Sequence, residues 1–503
     1  MKFQTCLPFL LGFVACAKLG LALSIPAHDF NHGRVQDATK SKQSHWPYAP
    51  GTDCARGLLR EYGLPLDTTG ATAFALLYGI PLIYYTKEFD GAQGLSMIGV
   101  NHVFAQTTAA TANTTEIVHP NADTLYALAA IDLSRTNVVL TLPEMEADRL
   151  YLLAFWDAYG SQFAALGSIQ GSAAGTYLME PSLGNNNWGV HNCSGYAGCI
   201  TSPSTLGTLL VRAELKNDST DLDYVKTWVS QVMVKEFGNH TALRPALSPA
   251  DFANLSNDTS IQTLQLTARL NQGNPPWQKD LAAGVSQILE MAGICRGTYN
   301  QPSSVNLTLA EELFSATVNA SPSLPGTYRN ENNGWSIIEP SEQGIFHNNT
   351  DFRTRAYFGI KAYLDNTAQS ALYPMPTQNS FNLTSDSSIV LTFSGKPPIG
   401  DNGFWSITAY NSAGFLISNS LNKYTVGDRS NITYPDGTLI YPNHMNSTGQ
   451  LSTENKPFQV LIQGEDQPPP SNWTANWLPV PSNGSDFTLT FRLYDPEQAL
   501  VVG

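Results

Sequence analysis

One short stretch, His119-Pro-Asn-Ala-Asp-Thr-Leu-Tyr126, sets an imidazole, an amide, a carboxylate and a phenol at the entry to a β-prone run. Groups such as His119, Asn121, Asp123 and Tyr126 can transfer protons, or hydrogen-bond an oxygen that develops charge. The same residues also suit a plain structural turn, with Asn121 and Asp123 bonding nearby amides. Asp157 is a second candidate. It follows Ala154-Phe-Trp156, where strand alternation points it inward, and burial would raise its pKa toward general acid or base work. Its bland alternative is a salt bridge to Arg149 or Arg492. Near the C-terminus, Trp405, Tyr410, Tyr424, Asn476, Trp477 and Arg492 are read as lining for an aromatic or sugar-like ligand. The rings would stack and the guanidinium would meet an oxyanion; ordinary core packing is the alternative.

The chain lacks a Gly-x-Ser-x-Gly elbow, His-Glu-x-x-His, Gly-x-Gly-x-x-Gly and a phosphate-binding loop. No metal and no cofactor is therefore expected.

These residues need elements to position them. At 503 residues the chain exceeds one ordinary core, so two domains are expected. Apolar residues make up 42% and charged ones 14%, which excludes a disordered chain, and 39 Gly with 31 Pro favour β-rich, loop-rich structure. Residues 68–86 read as a buried helix kinked near Pro81. Thr124–Leu128, Asn137–Leu142, Arg149–Trp156 and Thr176–Met179 read as strands. A helical middle follows in Asp221–Phe237, Ile261–Leu270, Trp277–Ile294, Thr308–Val318 and Phe352–Asp365, with Ser248 capping a turn before Pro249. Strands return at Ser388–Phe393, Phe404–Tyr410, Thr438–Tyr441, Phe458–Ile462 and Phe487–Tyr494. The expected fold is mainly β with a helical insert (α+β): two antiparallel β-sandwich or barrel-like domains joined by a helical middle segment. Its divisions are a signal peptide at 1–24, a polar leader at 25–64, an N-terminal β domain with a leading helix at 65–200, the helical middle at 201–370 and a C-terminal β domain at 371–503.

The compartment is read from the start. Lys2, the apolar Leu7–Ala15 and the small residues around Ala22-Leu-Ser24 form a secretory signal peptide, with Ala15-Cys-Ala17 as a rival cleavage context. Removing Lys2 and Lys18 leaves 25 basic against 41 acidic residues, so the net charge moves from −14 to −16. Nucleic acid is an improbable partner for such a surface, and no membrane contact is expected after signal cleavage. Beyond Cys6 and Cys16, four cysteines remain, an even count that favours disulfides in an exported chain. Cys193–Cys199 and Cys54–Cys295 are the preferred pairs of the three pairings available. Fourteen sequons mark glycosylation at Asn113, Asn192, Asn217, Asn239, Asn254, Asn257, Asn306, Asn319, Asn348, Asn382, Asn431, Asn446, Asn472 and Asn483.

The motif His119–Tyr126, with Asp132-Leu-Ser134, Val138–Pro143, Asp148-Arg149, Trp156–Tyr159 and Tyr78–Leu82, resembles the N-terminal domain-of-unknown-function family twelve-fifty-four. Phe404–Tyr410, Gly414–Leu416, Asn422–Tyr424, Asp436-Gly437, Asn476–Pro481 and Arg492–Pro496 resemble its usual companion, domain-of-unknown-function twelve-fourteen. The resemblance covers about 65–180 and 350–498, and together with the signal and sequons it reads as a secreted eukaryotic, fungal-like member. It implies two β-sandwich-like or barrel-like halves joined by helices, with no agreed reaction.

The function expected is a secreted, cofactor-independent enzyme. It would modify a small organic molecule by hydrolysis, isomerisation, cyclisation or elimination. The alternative is a carbohydrate-binding, wall-binding or adhesive glycoprotein whose partner is a glycan. A homo-oligomer fits either.

Overall fold

In the computed structural model the described residues are 52–87, 99–114, 119–182, 187–216, 220–378, 380–441 and 455–502. The signal peptide, the leader up to residue 51, and the sequons at Asn217 and Asn446 lie outside them.

The N-terminal sandwich is built from β1 (Phe104–Ala105), β2 (Thr124–Asp132), β3 (Thr136–Leu142), β4 (Tyr151–Asp157), β5 (Gln162–Gly167), β6 (Gly175–Pro181), β7 (Gly189–His191), β8 (Gly198–Ser202), β9 (Leu206–Glu214) and β10 (Met233–Asn239). One sheet runs β1-β2-β9-β4-β5 and the other β10-β3-β6-β8-β7. Alternation along β2 sends Leu125, Ala127, Ala129 and Ile131 into a shared core with Val138, Leu140, Met179 and Ile200 of the facing sheet. The opposite face carries Tyr126, and from β4 Leu152 and Trp156, against helices. Both faces of β4 are thus covered, which is why Tyr151–Asp157 has almost no polar position.

Helices Thr52–Glu61, Thr68–Gly79, Pro81–Lys87, Thr259–Leu270, Lys279–Met291, Leu307–Ala320 and Phe352–Lys361 form that covering layer. The break between the two helices at Ile80–Pro81 is the expected kink. Two segments were misread from sequence. Residues 52–61, assigned to a polar leader, form an amphipathic helix whose Leu58 and Leu59 are fully buried, each contributing about 2 kcal/mol. Asp221–Phe237, read as one helix, is a helix only over Leu222–Gln231; Val232 turns extended and β10 completes the second sheet. The N-terminal β unit therefore reaches residue 239, and the helical middle begins after it.

Between the domains lie the hairpin β11 (Ile294–Cys295) and β12 (Thr298–Tyr299), then β13 (Tyr328–Asn330) and β14 (Trp335–Ile338). The C-terminal domain holds β15 (Ala371–Leu372), β16 (Met375–Pro376), β17 (Phe381–Asn382), β18 (Ser388–Phe393), β19 (Trp405–Asn411), β20 (Thr425–Gly427), β21 (Phe458–Gly464), β22 (Trp477–Val480) and β23 (Asp486–Tyr494). Its sheets run β15-β23-β19-β20 and β18-β21-β22 around Trp405, Ile407, Phe458, Val460, Phe487 and Leu493. Thr438–Tyr441, expected as a strand, makes only a single bridge, Thr433 with Leu439. All pairings are antiparallel except β6 with β8 and β21 with β22. The fold class is the expected one: mainly β, with helices, in an α+β arrangement. Among the described residues no helix is long and apolar enough to cross a membrane.

Cys193 and Cys199 are disulfide-bonded, tying the end of β7 to β8. The expected Cys54–Cys295 pair is absent. Cys54 is buried against helix Lys279–Met291, where Gly284 makes room for its sulfur, whereas Cys295 sits exposed on its hairpin.

Candidate functional site

His119 enters the turn in a left-handed conformation (φ 50°), and its N–H donates to Gly414 O at 2.6 Å. Asn121 Oδ1 accepts from Asp123 N at 2.8 Å and starts β2, as a structural turn requires. The remaining groups of the turn reach across to the C-terminal domain. Asn121 Nδ2 donates to Tyr494 Oη at 3.3 Å, Tyr410 Oη donates to Pro120 O at 2.8 Å, and Arg492 donates to His119 O at 3.1 Å. Asp123 accepts from Thr425 Oγ1 at 2.9 Å and is ion-paired to Arg429.

Strand periodicity explains the meeting. On β2 and β9, Tyr126 lies opposite Arg212, and Thr124 opposite Glu214, all on the face turned away from the sandwich core. On β19 and β23, Ser406, Thr408, Tyr410, Arg492 and Tyr494 share the face opposite the C-terminal core. The two outer faces close on each other as a polar and aromatic layer. Within it Arg492 donates to Tyr410 Oη at 2.6 Å and Thr408 Oγ1 at 3.0 Å. Arg212 donates to Asn366 Oδ1 at 3.0 Å and lies 5.5 Å from the Tyr126 ring and 5.7 Å from Trp156. Asn366 in turn donates to Tyr373 Oη at 2.8 Å.

Protonation in this layer follows from who has a counter-ion. Burial pushes Asp123 upward, but Arg429 and the Ser406 and Thr425 hydroxyls outweigh it, and its carboxyl stays below the ordinary range. Burial lifts Glu214 to about 7 against the pull of Arg429, and lifts Asp428 well above its ordinary value, with Glu214 adding to it. Asp365 is raised to about 7 by burial, opposed by the Asn366 amide and by Arg212. His119 is lowered to about 4 by burial and by Arg492, so its ring is neutral at pH 7, edge-on to Tyr410 at 4.8 Å. Tyr410 is pushed up to about 12 by burial despite Arg492, and remains a phenol.

The layer thus gathers His119, Asn121, Asp123, Tyr126, Tyr410 and Arg492 from the two sets singled out in the sequence. It adds Arg212, Glu214, Asp365, Asn366, Arg429 and Tyr494. One signal was available for two of these: Arg212 interrupts, and Glu214 ends, the largely uncharged run that starts at Leu206, as charges on a covered strand do. Asp365 and Asn366 lie in a loop with no local pattern to mark them.

Asp157 belongs elsewhere. Its oxygens accept from Tyr159 N (3.0 Å), Ser161 N (2.9 Å), Trp277 Nε1 (2.7 Å) and Asn349 Nδ2 (3.2 Å). Asn349 closes a left-handed turn in which Phe346, His347, Asn348 and Asn349 all have positive φ, and Arg355 donates to its Oδ1 at 2.5 Å. Burial raises the carboxyl, with Arg355 opposing. The expected bridge to Arg149 or Arg492 is not formed, because Arg149 pairs with Glu146 and Asp221 and Arg492 faces the seam.

The C-terminal ligand set also separates. Trp405 is core, its Nε1 bonded to Tyr441 Oη at 2.9 Å. Asn476 bridges Thr433 to Gln459 O, Trp477 donates to Gln463 O at 3.1 Å, and Tyr424 donates to Asn422 at 3.2 Å. Of that set only Tyr410 and Arg492 stand in the layer, on the faces of β19 and β23 turned away from the C-terminal core. Among the described residues no group of three or more His, Cys, Asp or Glu has metal-holding geometry.

Residues 100–236 match the family model described as a protein of unknown function (DUF1254), and residues 370–498 match that of another (DUF1214). The first match takes in β9 and most of β10 and leaves the leading helices outside. No curated protein matches the chain. Among solved structures, the VPA0106 protein from Vibrio parahaemolyticus is 16% identical with a TM-score of 0.56, over 86% of this chain and 96% of that one. An uncharacterized protein from Burkholderia cenocepacia is 12% identical with a TM-score of 0.39, over 88% and 91%. The former likeness is one of fold. The chain pairs a DUF1254 domain with a DUF1214 domain, and the polar layer is the seam between them.

Proposed function

We propose that this chain is a secreted glycoprotein that modifies a small organic molecule by acid–base chemistry at the seam between its two β domains. The observation that carries the reading is the bonding of the His119–Tyr126 turn to Tyr410, Arg492 and Tyr494, residues some 300 or more positions away, in one buried layer. Asp123, locked to Arg429, holds the turn in place. Asp365, titrating at about 7 beside Arg212, is the proton carrier, and the phenols of Tyr126 and Tyr494 with the Asn121 amide steady a developing oxyanion. Hydrolysis, isomerisation, cyclisation and elimination all use that set. Incubation with a panel of lactones, enones and β-hydroxy acids, read by mass spectrometry, tests it. Asp365→Asn and Tyr126→Phe are expected to lower turnover by roughly a hundred-fold. Unchanged turnover in both, with the fold intact, removes the assignment.

Glycosylation has separate support. The twelve described sequon asparagines are all exposed, whereas the seven buried asparagines (Asn101, Asn121, Asn274, Asn349, Asn366, Asn419 and Asn476) include no sequon. A glycan-binding reading loses its stacking platform, because Trp405 and Trp477 are buried with their indole N–H groups bonded internally.

A further inference from the structure

Away from the seam, a cavity of about 300 Å³ opens where the loop after helix Thr259–Leu270 meets helix Lys279–Met291. The loop contributes Pro275 and Pro276 to its walls, the helix Ala282 and Val285, and the polar lining is Asn271 and Ser286. It shares no residue with the polar layer between the domains. Among the described residues, no charged side chain lines it. The loop wall is fixed by its own bonding to the N-terminal sandwich. Thr205 N donates to Gly273 O at 2.9 Å, Leu206 N to Asn274 Oδ1 at 2.9 Å, and Asn274 N to Asn271 O at 3.0 Å. Gly273 holds the turn at φ 80°, where a Cβ would meet Thr205 Oγ1 at 2.8 Å. Small-molecule sites are typically preformed in this way, apolar with a few placed polar groups, and this cavity lies at the small end of their range.

Asn271 sets the polarity of the cavity. Its Oδ1 accepts from Tyr78 Oη and Tyr159 Oη, each at 3.3 Å, which turns the amide oxygen toward two buried phenols. Nδ2 is on the other branch of the amide. Among the described residues it donates to nothing, and it is not enclosed by protein. The acceptor of Asn271 is thus spent on the fold, and only its two N–H donors remain for a ligand. We infer that this cavity binds a small uncharged molecule, presenting a carbonyl oxygen to Asn271 Nδ2 and an apolar body to Pro275, Pro276, Ala282 and Val285. Neutrality follows from the walls, since an ion would give up hydration and meet no counter-ion in exchange. Preference for an acceptor follows from the phenols, which fix which end of the amide is available. The site does not depend on chemistry at the seam.

Ligand-detected NMR titration of the intact protein, near neutral pH, with cyclohexanone, cyclohexanecarboxylate and cyclohexylammonium is the test. Cyclohexanone is expected to bind with a Kd on the order of 1 mM, as suits so few atoms, and both ions at least roughly ten-fold more weakly. Ala282→Phe, which grows into the cavity from the helix, should weaken cyclohexanone by roughly ten-fold or more. Asn271→Asp keeps an acceptor for both phenols and replaces the donor with a charged acceptor. It should weaken cyclohexanone by roughly ten-fold and make cyclohexylammonium the preferred probe of the three. Should Ala282→Phe fail to fold, the reversal in Asn271→Asp decides; should both fail, the wild-type ranking does. Absence of cyclohexanone binding, either ion binding as tightly, undiminished affinity in folded Ala282→Phe, or an unchanged ranking in folded Asn271→Asp each overturns the inference.

Discussion

Asp123, Glu214 and Asp365 are all buried at the seam, yet only Asp123 is held ionised, because it alone has a guanidinium in ion-pair contact. Glu214 keeps one oxygen on Leu150 N at 3.1 Å while its Oε1 has no partner, and Asp365 likewise has an unpartnered Oδ2. Their folded values of about 7 lie above the ordinary carboxylate range. Between pH 4 and 7 the folded chain therefore binds more protons than the unfolded one. Stability should fall as pH rises through that window and level off above it, each group contributing on the order of 3 kcal/mol. Urea midpoints at pH 5, 6 and 7.5 should fall less steeply in Glu214→Gln than in the wild type. Parallel curves would show that Glu214 is not the titrating group. No composition or spacing argument foretells this difference, since it depends on which side chain lies beside Arg429 after folding.

At the scale of elements, Asp157 ties three pieces of chain together: the end of β4, Trp277 ahead of a helix, and the left-handed turn ending at Asn349. Four consecutive left-handed residues cost about 1–2 kcal/mol each, so the turn persists only where its side chains are held. An ionised carboxylate suits four donors because it is acceptor-only. Asp157→Asn sets an amide N–H against one of them, and should lower unfolding stability by about 2 kcal/mol in thermal or urea denaturation. A variant as stable as the wild type would deny Asp157 this anchoring role. Strands such as β18 and β23 were legible because alternating apolar residues have one interpretation on a sheet. Residues 232–237 were not, because Val229, Val232 and Val234 satisfy a helical stripe and a strand equally until the partner, β3, is known. The helix at Thr52–Glu61 was missed because its apolar residues fill one face of an otherwise polar run.

For the whole molecule, the cysteines offer a direct check. Alkylation of the native protein should label Cys295, denaturation should add Cys54, and Cys193 with Cys199 should react only after reduction. Labelling of Cys295 only after reduction would instead support the long-range Cys54–Cys295 staple. The two β domains also share one step of their topology. In each, a strand in one sheet (β3, β18) is followed by an aromatic strand in the other (β4, β19), as a sandwich crossing requires.

The chemistry-bearing turn, most strands and helices, the short disulfide and the exposed sequons all rest on local pattern, and the sequence alone determined them. The seam was decided by tertiary structure. Which face of β2, β9, β19 and β23 meets a core and which meets the other domain depends on packing between segments hundreds of residues apart. That packing brought Arg212 and Arg492 into one layer, sent Trp405 and Trp477 into the core, and turned the candidate acid at Asp157 into a brace. Local spacing carries no record of contacts made at that distance.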